Sequence, residues 1–363
     1  MKVLAIETSC DDTCIAILKK SDDEINFLSS VVSSQVEVHR EWGGVYPTLA
    51  KREHQKNLVP VLRKGLKEAG LLKKGQVDRE VSHILKREKV LAQKLTKFLS
   101  SYDKPDIDYL AVTVGPGLDP SLWSGINFAK ALSFSWDVPI IPVNHIKAHF
   151  FAPLVLEGGD FPAVSLLASG GHTQLIVSKS LFDHKVIGET RDDAAGECFD
   201  KTARILGLDY PGGPEIAEWA KKETDLSVDL PRPMINSKDY DFSFSGLKTA
   251  VLYAWRDQEE KTEDFKIAMA KEIQEAITDV LVEKTFRAVE EFGAKTVVVG
   301  GGVSANLSLR KKIKERGGAK IILPDLDFST DNAKMIAVTA AYETQKATTD
   351  WKSLESDPNL KIN

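Results

Sequence analysis

The alternation of apolar and polar residues marks two similar segments far apart in the chain. Residues 2–18 place two apolar, β-rich runs on either side of a polar turn, which is typical of a β-hairpin. Residues 163–177 repeat this design around a polar turn at 169–173. The recurrence predicts two copies of one domain.

Buried strands that run into glycine-rich turns are a second repeated feature. Residues 109–117 and 296–304 each read as an apolar strand followed by such a turn, with helices between the strands. This alternation indicates an α/β architecture that binds ligands at the strand ends. We expect a loose tail after residue 350, and apolar residues at helical spacing predict helices over 121–135, 262–292 and 333–347.

Length and composition narrow the class of protein. A chain of 363 residues with 42% hydrophobic and 28% charged residues is typical of a soluble globular protein with two domains. No apolar run reaches the ~18–20 residues of a membrane span, and the sequence starts with a strand rather than a targeting segment. Three cysteines cannot form a disulfide framework, so we expect a cytoplasmic protein.

Charge is distributed unevenly along the chain. The net charge of −5 argues against a protein that coats nucleic acid through its overall charge. Residues 73–104, however, contain nine Lys or Arg and four Asp or Glu, so this segment carries +5 and the remainder −10. Its apolar residues recur at helical spacing, which predicts an amphipathic helix. This helix is either simply solvated or forms a basic edge for a polyanion.

Four glycine-rich turns indicate a nucleotide site. They lie at 115–117, 169–171, 212–213 and 300–302, each near the end of a predicted strand or helix. Such turns let backbone N–H groups approach phosphate, and a following helix N-terminus adds a favourable dipole. None matches the P-loop pattern or the Gly-x-Gly-x-x-Gly dinucleotide pattern, so those two classes are disfavoured.

A pair of histidines offers metal ligands. His145 and His149 follow an apolar strand and are four residues apart, so on a helix they share one face and both reach one ion. Imidazole suits zinc or iron, with a carboxylate or another histidine as third ligand. Asp331 is a candidate, although spacing alone favours its being a helix N-cap. Ile146 stands where a His-Glu-x-x-His protease has its general base, so peptidase chemistry is disfavoured.

An acidic stretch surrounds Cys198. Glu197 and Asp200 share a helical face, with Arg204 one turn beyond Asp200. This arrangement fits either surface ion pairs of ~0.2–0.5 kcal/mol each or carboxylates that hold ribose hydroxyls. Cys198 has no nearby histidine in sequence to activate it, so a nucleophilic role is disfavoured.

With these segments in order, the chain resembles the TsaD-type tRNA N6-adenosine threonylcarbamoyltransferases of bacteria. The resemblance extends from residue 2 to about residue 342, with segment 73–104 outside it. The matching motifs are AIETSCDDT (5–13), GGVYP (43–47) with Arg52 and His54, GPGL (115–118), NHIKAH (144–149), SGGHTQ (169–174), DDAAGECFDK (192–201), YPGGP (210–214), FSFSGLK (242–248), GGGVSAN (300–306) and Asp331-Asn332.

The resemblance implies an α/β fold of the actin/Hsp70/sugar-kinase type (ASKHA), with two related RNase H-like lobes around a nucleotide cleft. Residues 1–145 are then expected to form the N-terminal lobe. The helical insertion 73–104 belongs to that lobe, and the helix 333–347 is expected to pack on it. Residues 146–332 are expected to form the C-terminal lobe, which would carry the nucleotide and metal site.

The resemblance also implies the reaction and its site. Threonylcarbamoyl passes from threonylcarbamoyl-AMP to N6 of the adenosine immediately 3′ of the anticodon (position 37), in tRNAs that read ANN codons, and AMP is released. One divalent ion, Fe²⁺ or alternatively Zn²⁺ or Mg²⁺, is expected on His145, His149 and Asp331, which replaces the N-cap interpretation of Asp331. No catalytic residue is assigned; the supporting candidates are Ser9, Asp11 and Glu197. The nucleotide intermediate is expected on Leu167, Ala168, Ser169, Gly170, Gly171, Asp200, Gly213 and Asn306.

The expected partners are tRNA and TsaB-like and TsaE-like proteins, with a homodimer left open and no membrane. One departure from the family is Ala217, at a position that is often acidic, which leaves one carboxylate contact open. Segment 73–104 is longer than the loop usual there, and its charge leads us to expect it near the tRNA backbone. A kinase-like or ATP-hydrolysing protein of the same fold and a metallopeptidase remain the alternatives.

Overall fold

The computed structural model divides the chain into two compact units, each with one five-stranded sheet and its own apolar core. Unit 1 comprises Met1–Val38, Val45–Ala152 and Asp331–Ile362, and unit 2 comprises His39–Gly44 and Pro153–Thr330. The structure describes residues 1–22, 24–325, 328 and 330–362.

Strands and helices alternate as the sequence predicts for an α/β protein. The strands are β1 (Lys2–Glu7), β2 (Thr13–Ser21), β3 (Glu24–Ser33), β4 (Tyr109–Gly115), β5 (Ile140–Asn144), β6 (Ala163–Ala168), β7 (Thr173–Ser180), β8 (Asp183–Glu189), β9 (Thr296–Gly300) and β10 (Lys320–Ile322). The helices with both ends among the described residues are α1 (Val36–Arg40), α2 (Pro47–Glu68), α3 (Lys89–Leu99), α4 (Asp119–Trp136), α5 (His145–Leu156), α6 (Ala195–Ile205), α7 (Gly212–Ala220), α8 (Ser245–Asp257), α9 (Glu263–Phe292), α10 (Leu307–Arg316) and α11 (Ala333–Tyr342).

The sheet of unit 1 has the strand order β3-β2-β1-β4-β5. The hairpin predicted at residues 2–18 is present, since β1 and β2 pair antiparallel with Lys2 opposite Lys19 and Glu7 opposite Cys14. Strands β4 and β5 add in parallel to β1, so the carboxyl ends of these three strands lie at one edge. Helices α2 and α4 pack on this sheet and on each other, and α11 packs on β1 and β2.

The sheet of unit 2 has the order β10-β9-β6-β7-β8. Strands β6 and β7 form the second predicted hairpin, and β9 and β10 add in parallel to β6. The long helix α9 packs against β6. Its ends follow from the sequence, because the Thr262 hydroxyl accepts a hydrogen bond from the Phe265 N–H (3.2 Å) and Gly293 adopts a left-handed conformation with φ 57°.

The two sheets share one topology. In each, an antiparallel three-strand meander leads through its first strand to two parallel strands. In α/β folds the helices that connect parallel strands cover both faces of the sheet, and the fully buried Val3 to Ile6 and Val164 to Leu166 agree with this arrangement. The prediction of two related α/β halves is therefore confirmed.

Segment 73–104 differs from its predicted continuous helix. Only Lys89–Leu99 is helical, and the preceding residues form an irregular chain that runs back along α3. Backbone contacts hold it there, since Val77 N–H donates to the Leu99 carbonyl (2.7 Å). The apolar residues Val81 and Leu85 are buried as predicted, but a periodic apolar pattern specifies burial and does not by itself fix helical hydrogen bonding.

The C-terminal tail was expected to be loose, and this prediction is wrong. Leu354 is buried, and the Asp357 N–H donates to the Val114 carbonyl (2.8 Å). The Pro358 carbonyl accepts from the Gly117 N–H (3.2 Å), and the Asn144 amide donates to the Lys361 carbonyl (3.1 Å). The tail thus pairs with the ends of β4 and β5. The last helix is also shorter than the predicted 333–347, because it ends at Tyr342.

The division between the units falls at residues 152/153 rather than at the expected 145/146. The expected boundary separates β5 from α5, but α5 starts at the residue after β5 and its first two turns belong to unit 1. Asp331 also belongs to unit 1, so the residues expected to bind metal lie in unit 1 and not with 146–332. Within the described part of the chain, none of the helices combines the length and apolarity that crossing a membrane requires.

Candidate functional site

Helix α5 carries both histidines at the edge of the unit 1 sheet. Strand β5 ends at Asn144, whose side-chain oxygen accepts the Lys147 N–H (2.9 Å) and thereby starts the helix at His145. The four-residue spacing then places His145 and His149 on one helical face, with 7% and 4% of their surfaces exposed. Their rings lie nearly perpendicular, with centroids 4.7 Å apart.

Asp331 faces these histidines from the segment before α11. Its Oδ1 lies 3.4 Å from Nε2 of His145 and 3.3 Å from Nε2 of His149. The cap of α11 is instead Asn332, whose side chain accepts the Met335 N–H (3.1 Å). The N-cap interpretation of Asp331 is therefore wrong, and its carboxylate is directed at the histidines.

These three side chains present a donor set that fits one divalent cation. The two Nε2 atoms are 3.2 Å apart, so the three ligand atoms form a nearly equilateral triangle with sides of 3.2 to 3.4 Å. Metal–ligand bonds of about 2.0–2.2 Å place neighbouring ligands roughly 3.0–3.5 Å apart. Two imidazoles and one carboxylate on one side of an ion are the donor set of non-haem Fe(II) sites and also suit zinc.

A buried carboxylate supports His145 from behind. Glu7, the last residue of β1, is fully buried, and its Oε2 accepts hydrogen bonds from Nδ1 of His145 (3.0 Å) and from the Thr113 hydroxyl (2.7 Å). The Ser9 hydroxyl lies 3.2 Å from the same Nδ1. A proton held on Nδ1 leaves the Nε2 lone pair free for a metal, which is the usual role of a carboxylate behind a ligating histidine.

The electrostatics of the cluster are those of a cation site. Burial alone would raise the pKa of Asp331, but the charge of His145 and hydrogen bonds from both imidazoles lower it far below its ordinary range. Burial opposes protonation of His145, yet Asp331 and Glu7 together raise its pKa. Burial lowers the pKa of His149, and its Nδ1 atom has no hydrogen-bond partner among the described residues. The buried Glu7 carboxylate and the half-buried Asp331 carboxylate thus attract positive charge to this point.

The β1–β2 turn lies beside this cluster and adds further acids. Asp11 is half-exposed there, and burial together with the Asp11 charge raises the pKa of Asp12 to about 7. The Cys14 thiol donates to the Asp331 carbonyl (3.5 Å), and burial raises its pKa well above the usual value. Of the supporting candidates, Ser9 contacts a histidine, whereas Asp11 adds to the effect of burial in raising the pKa of the neighbouring Cys10 thiol.

In unit 2, two of the predicted glycine-rich turns, 169–171 and 300–302, meet at the carboxyl ends of β6 and β9, whereas the 212–213 turn contacts α6. The Ser169 carbonyl accepts the Gly196 N–H (3.0 Å), and a Cβ on Gly196 would lie only 2.6 Å from that carbonyl oxygen. Gly301 has φ 81°, and a Cβ there would lie 2.5 Å from the Ala168 carbonyl oxygen. Only glycine, which has no Cβ, permits two backbones to come this close. Residues 168–169 therefore contact both the start of α6 and the turn after β9.

Two acidic candidates of unit 2 already have partners. The Asp200 carboxylate accepts the Gly212 N–H (2.7 Å), next to Gly213, and its pKa is raised by burial against the lowering effect of these backbone hydrogen bonds. Glu197 forms an ion pair with Lys201 (2.9 Å) on the same helix, which is a different pair from the one between Asp200 and Arg204 that the spacing suggested. Asp200 therefore holds the 212–213 turn in place. A ligand that contacts the Asp200 carboxylate would lie beside that turn.

Asn306 has a local structural role that the sequence did not indicate. Its side-chain oxygen caps α10 by accepting the Leu309 N–H (3.0 Å), and its amide nitrogen donates to Gln274 (2.9 Å). Cys198 is buried, and burial raises its thiol pKa, in keeping with the disfavoured nucleophilic role.

Sequence reasoning missed Glu7 as a functional residue. The signal was available, since a carboxylate at the end of an otherwise apolar strand must find buried partners. It also missed Gly196, whose tight backbone approach to Ser169 does not follow from spacing, although it included Gly301 in the predicted 300–302 turn.

Comparison with known proteins agrees with the sequence resemblance. The family model described as TsaD, tRNA N6-adenosine threonylcarbamoyltransferase, matches residues 26–79 and 83–338. The chain is 45% identical over 370 residues to the tRNA N6-adenosine threonylcarbamoyltransferase of Persephonella marina, with 100% of this chain and 96% of that protein covered. It is 38% identical over 367 residues to the enzyme of the same name from Bacillus subtilis, with the same coverage.

Solved structures confirm the predicted fold. Component A of the (R)-2-hydroxyglutaryl-CoA dehydratase from Acidaminococcus fermentans matches with a TM-score of 0.52 at 13% identity, covering 95% of this chain and 99% of that one. Full-length HypF also matches with a TM-score of 0.52, at 12% identity, covering 98% of this chain and 47% of that one. At such identities the likeness concerns the two-lobed α/β fold alone. The match to the family model over most of the chain and the sequence identity to these relatives place this chain in the family of tRNA N6-adenosine threonylcarbamoyltransferases.

Proposed function

We propose that this enzyme transfers threonylcarbamoyl from threonylcarbamoyl-AMP to N6 of adenosine 37 in tRNAs that read ANN codons. The exocyclic amine attacks the carbamoyl carbon, so a bond forms between N6 and that carbon. The bond from the carbon to the phosphate oxygen breaks, and AMP leaves. The amine loses one proton. Two demands follow: the departing phosphate must be stabilised, and the carbonyl must be polarised.

The observation that carries this proposal is the triangle of two buried histidines, His145 and His149, with the half-buried Asp331. Its donor set fits a resident divalent ion, and we propose Fe²⁺, since two histidines and one carboxylate leave open positions on such an ion. When bound, the ion supplies Lewis-acid chemistry to carbamoyl or phosphate oxygens.

The chain's own residues prepare this site. Glu7 holds the His145 ring in place through Nδ1, and the Ser9 hydroxyl lies against the same nitrogen. Both supports are buried, and they restrict the imidazole to the orientation in which Nε2 faces Asp331. A ligand held in a fixed orientation needs no rearrangement when an ion binds.

The glycine turns of unit 2 are proposed to bind the nucleotide part of the intermediate. Gly170 and Gly171 are exposed at the end of β6, where backbone N–H groups approach phosphate without side-chain hindrance. Gly213 lies in the first turn of α7, whose N-terminus favours an anion. Asp200, beside this turn, is placed to accept hydrogen bonds from ribose hydroxyls. The proposed nucleotide-binding set is completed by Leu167, Ala168, Ser169 and Asn306. Asn306 would contact the nucleotide while its side chain also caps α10.

We further propose that the enzyme acts in the cytoplasm with TsaB-like and TsaE-like partners. The bacterial branch that the sequence resembles works with such proteins. Three free cysteines, two of them buried, fit a reducing compartment.

A reconstituted reaction tests this function. Purified enzyme is incubated with the partner proteins, a source of threonylcarbamoyl-AMP and unmodified ANN-decoding tRNA, and nucleosides are analysed by mass spectrometry. Wild type should form threonylcarbamoyladenosine, and His145→Ala should lose nearly all of it. His184→Ala is the matched control, because this half-buried histidine contacts Ser178 (2.9 Å) in unit 2 and should retain activity. Failure of wild type to form product refutes the function, and full activity of His145→Ala refutes the role of the triangle.

A further inference from the structure

Helices α2 and α3 concentrate positive charge on one part of unit 1. Residues 47–104 contain 15 Lys or Arg and six Asp or Glu, a balance of +9. Since the whole chain carries −5, the remainder carries −14. The basic character noted for 73–104 therefore extends over the neighbouring helix α2. The negative net charge of the whole chain conceals this local excess of positive charge.

The apolar faces of the two helices fix which way these cations point. On α2, Leu58, Leu62 and Leu66 are buried against β2 and β3, and on α3, Leu91 and Leu95 are buried. The exposed positions of both segments then carry the basic residues Arg52, Lys56, Arg63, Lys64, Lys67, Lys86, Arg87, Lys89 and Lys97. We call these nine residues the α2–α3 face.

The two basic stripes adjoin because α2 and α3 pack side by side. The Lys94 ammonium donates to the Lys56 carbonyl (2.7 Å), which joins the middle of one helix to the other. Farther along, Arg63 and Lys74 both approach the ring of Tyr102, at 5.8 and 4.8 Å from its centroid. The cations therefore belong to one continuous surface.

Acidic side chains are sparse along α3 but not along α2, where Glu53 forms an ion pair with Lys56 and Glu68 lies 3.9 Å from Lys64. Glu88 is the single acid between residues 81 and 102, and only 2% of it is exposed. Its carboxylate accepts a hydrogen bond from the Asn127 amide (3.3 Å) instead of facing solvent beside Lys86 and Lys89. A solvated helix that merely stays soluble has acids and bases interspersed, as α2 does, and residues 81–102 differ from that arrangement.

The face is anchored beside the candidate metal centre. The Nε2–H of His54, on α2, donates to the Cys10 carbonyl in the β1–β2 turn (3.0 Å), and Nδ1 accepts the Thr13 hydroxyl (2.8 Å). From His54 to Lys67 the helix rises about 20 Å, at 1.5 Å per residue. This length is enough to contact several successive phosphates of one strand. A polyanion bound along α2 would thus end near the turn that carries Ser9.

We propose that the α2–α3 face binds the sugar–phosphate backbone of the tRNA substrate. This inference rests on the proposed function, which supplies the polyanion, and it names where that polyanion docks. Contacts from lysine and arginine to phosphates position an RNA without reading its sequence. The face therefore orients tRNA on unit 1 and takes no part in group transfer.

The test replaces four exposed lysines of the face in one variant, K64Q/K67Q/K86Q/K89Q. The matched control replaces four exposed lysines of unit 2, K185Q/K238Q/K311Q/K314Q, with the same loss of charge. Unmodified tRNA binding to the full-length chain is measured by fluorescence anisotropy between 50 and 200 mM KCl. In the reconstituted reaction, KM for tRNA and kcat are measured as well. Circular dichroism and thermal melting confirm that both variants fold.

We expect the face variant to bind tRNA roughly 10- to 100-fold more weakly, and its slope of log K against log salt to fall by about 2–4. Its KM for tRNA should rise while kcat at saturating tRNA is retained. The control should match wild type. Unchanged affinity and slope in the face variant overturn the proposal, as does an equal loss in the control, which would reflect net charge alone.

Two further outcomes are distinguishable. Anionic lipid vesicles are tested in parallel, and loss of vesicle binding with intact tRNA binding overturns the proposal in favour of a membrane surface. If wild type binds tRNA through this face but forms no threonylcarbamoyladenosine, the proposed function fails and the docking surface stands. If wild type forms product and the face variant has an unchanged KM and Kd, the docking surface fails alone.

Discussion

Replacing Glu7 with Gln perturbs the candidate metal centre without touching a proposed ligand. The carboxylate has two acceptor oxygens and three donors: Oε1 accepts the Ser9 N–H, and Oε2 accepts the Thr113 hydroxyl and Nδ1–H of His145. Glutamine has the same shape but one oxygen and one NH₂ group. In either orientation of the amide, its NH₂ group meets a backbone, hydroxyl or imidazole donor. At least one buried donor is therefore left without an acceptor.

The size of the effect follows from this count. Loss of a carboxylate behind a ligating histidine weakens metal binding by about 10- to 100-fold. This loss corresponds to about 1.4–2.8 kcal/mol of binding free energy. The stranded donor should lower the free energy of unfolding of the metal-free protein by about 1–3 kcal/mol. A merely structural role for Glu7 would produce the second effect and leave the first absent.

Metal affinity is measured by competition with a chromophoric chelator, and Co²⁺ absorption reports the ligand environment. The matched control is Glu88→Gln, which removes an equally buried carboxylate of unit 1 that contacts Asn127 rather than a proposed ligand. Glu88→Gln should bind metal as wild type does. Wild-type affinity and an unaltered Co²⁺ spectrum in Glu7→Gln would refute the reasoning that Glu7 orients His145.

Three further predictions concern the surrounding scaffold. Ending the chain after Glu355 removes the tail's backbone hydrogen bonds to β4 and β5, so the midpoint in calorimetry should fall by several degrees, and an unchanged midpoint would show that the tail adds no stability. Asn306→Ala should lower the free energy of unfolding, measured in urea, by about 1 kcal/mol because the α10 cap is lost. If Asn306 only bound substrate, its replacement would leave this free energy unaltered. Burial would raise the pKa of Asp193, but its bonds to Lys201 and Lys248 lower it, so its stabilisation is present above the unfolded pKa of about 4 and is lost as pH falls through the lower folded value. The free energy of unfolding of Asp193→Asn, measured in urea, should therefore be about 2 kcal/mol below that of wild type at pH 7 and equal to it near pH 2. An equal difference at both pH values would contradict this account.

The fold was predictable because the pattern of burial repeats. Two apolar hairpins and two pairs of parallel strands bury both faces, and such strands leave a strong signal in sequence. The irregular chain before α3 could not be predicted, since Val81 and Leu85 have helical spacing, whereas the backbone bond of Val77 to Leu99 at the end of α3 follows from no local pattern. The docked tail depends on carbonyl and N–H groups of distant strand ends, which no local pattern encodes.

The candidate site was predictable in its ligands and not in its supports. Histidines four residues apart after a strand indicate a shared helical face, and the resemblance supplied Asp331. Local spacing alone favoured an N-cap for Asp331, because the neighbouring Asn332 fits the same pattern and is the residue that caps α11. The link between Glu7 and His145 joins residues 138 positions apart, so it needs the tertiary fold.

The most direct measurement of the central claim is a metal titration of the stripped enzyme. Enzyme freed of metal with a chelator is returned to the reconstituted reaction with increasing Fe²⁺ under anaerobic conditions, and threonylcarbamoyladenosine is quantified by mass spectrometry. If His145, His149 and Asp331 hold one ion that the transfer needs, product formation rises from near zero and saturates at one ion per chain, and His149→Ala abolishes the high-affinity phase. Full activity of the stripped enzyme, or an unaltered titration in His149→Ala, would contradict the account.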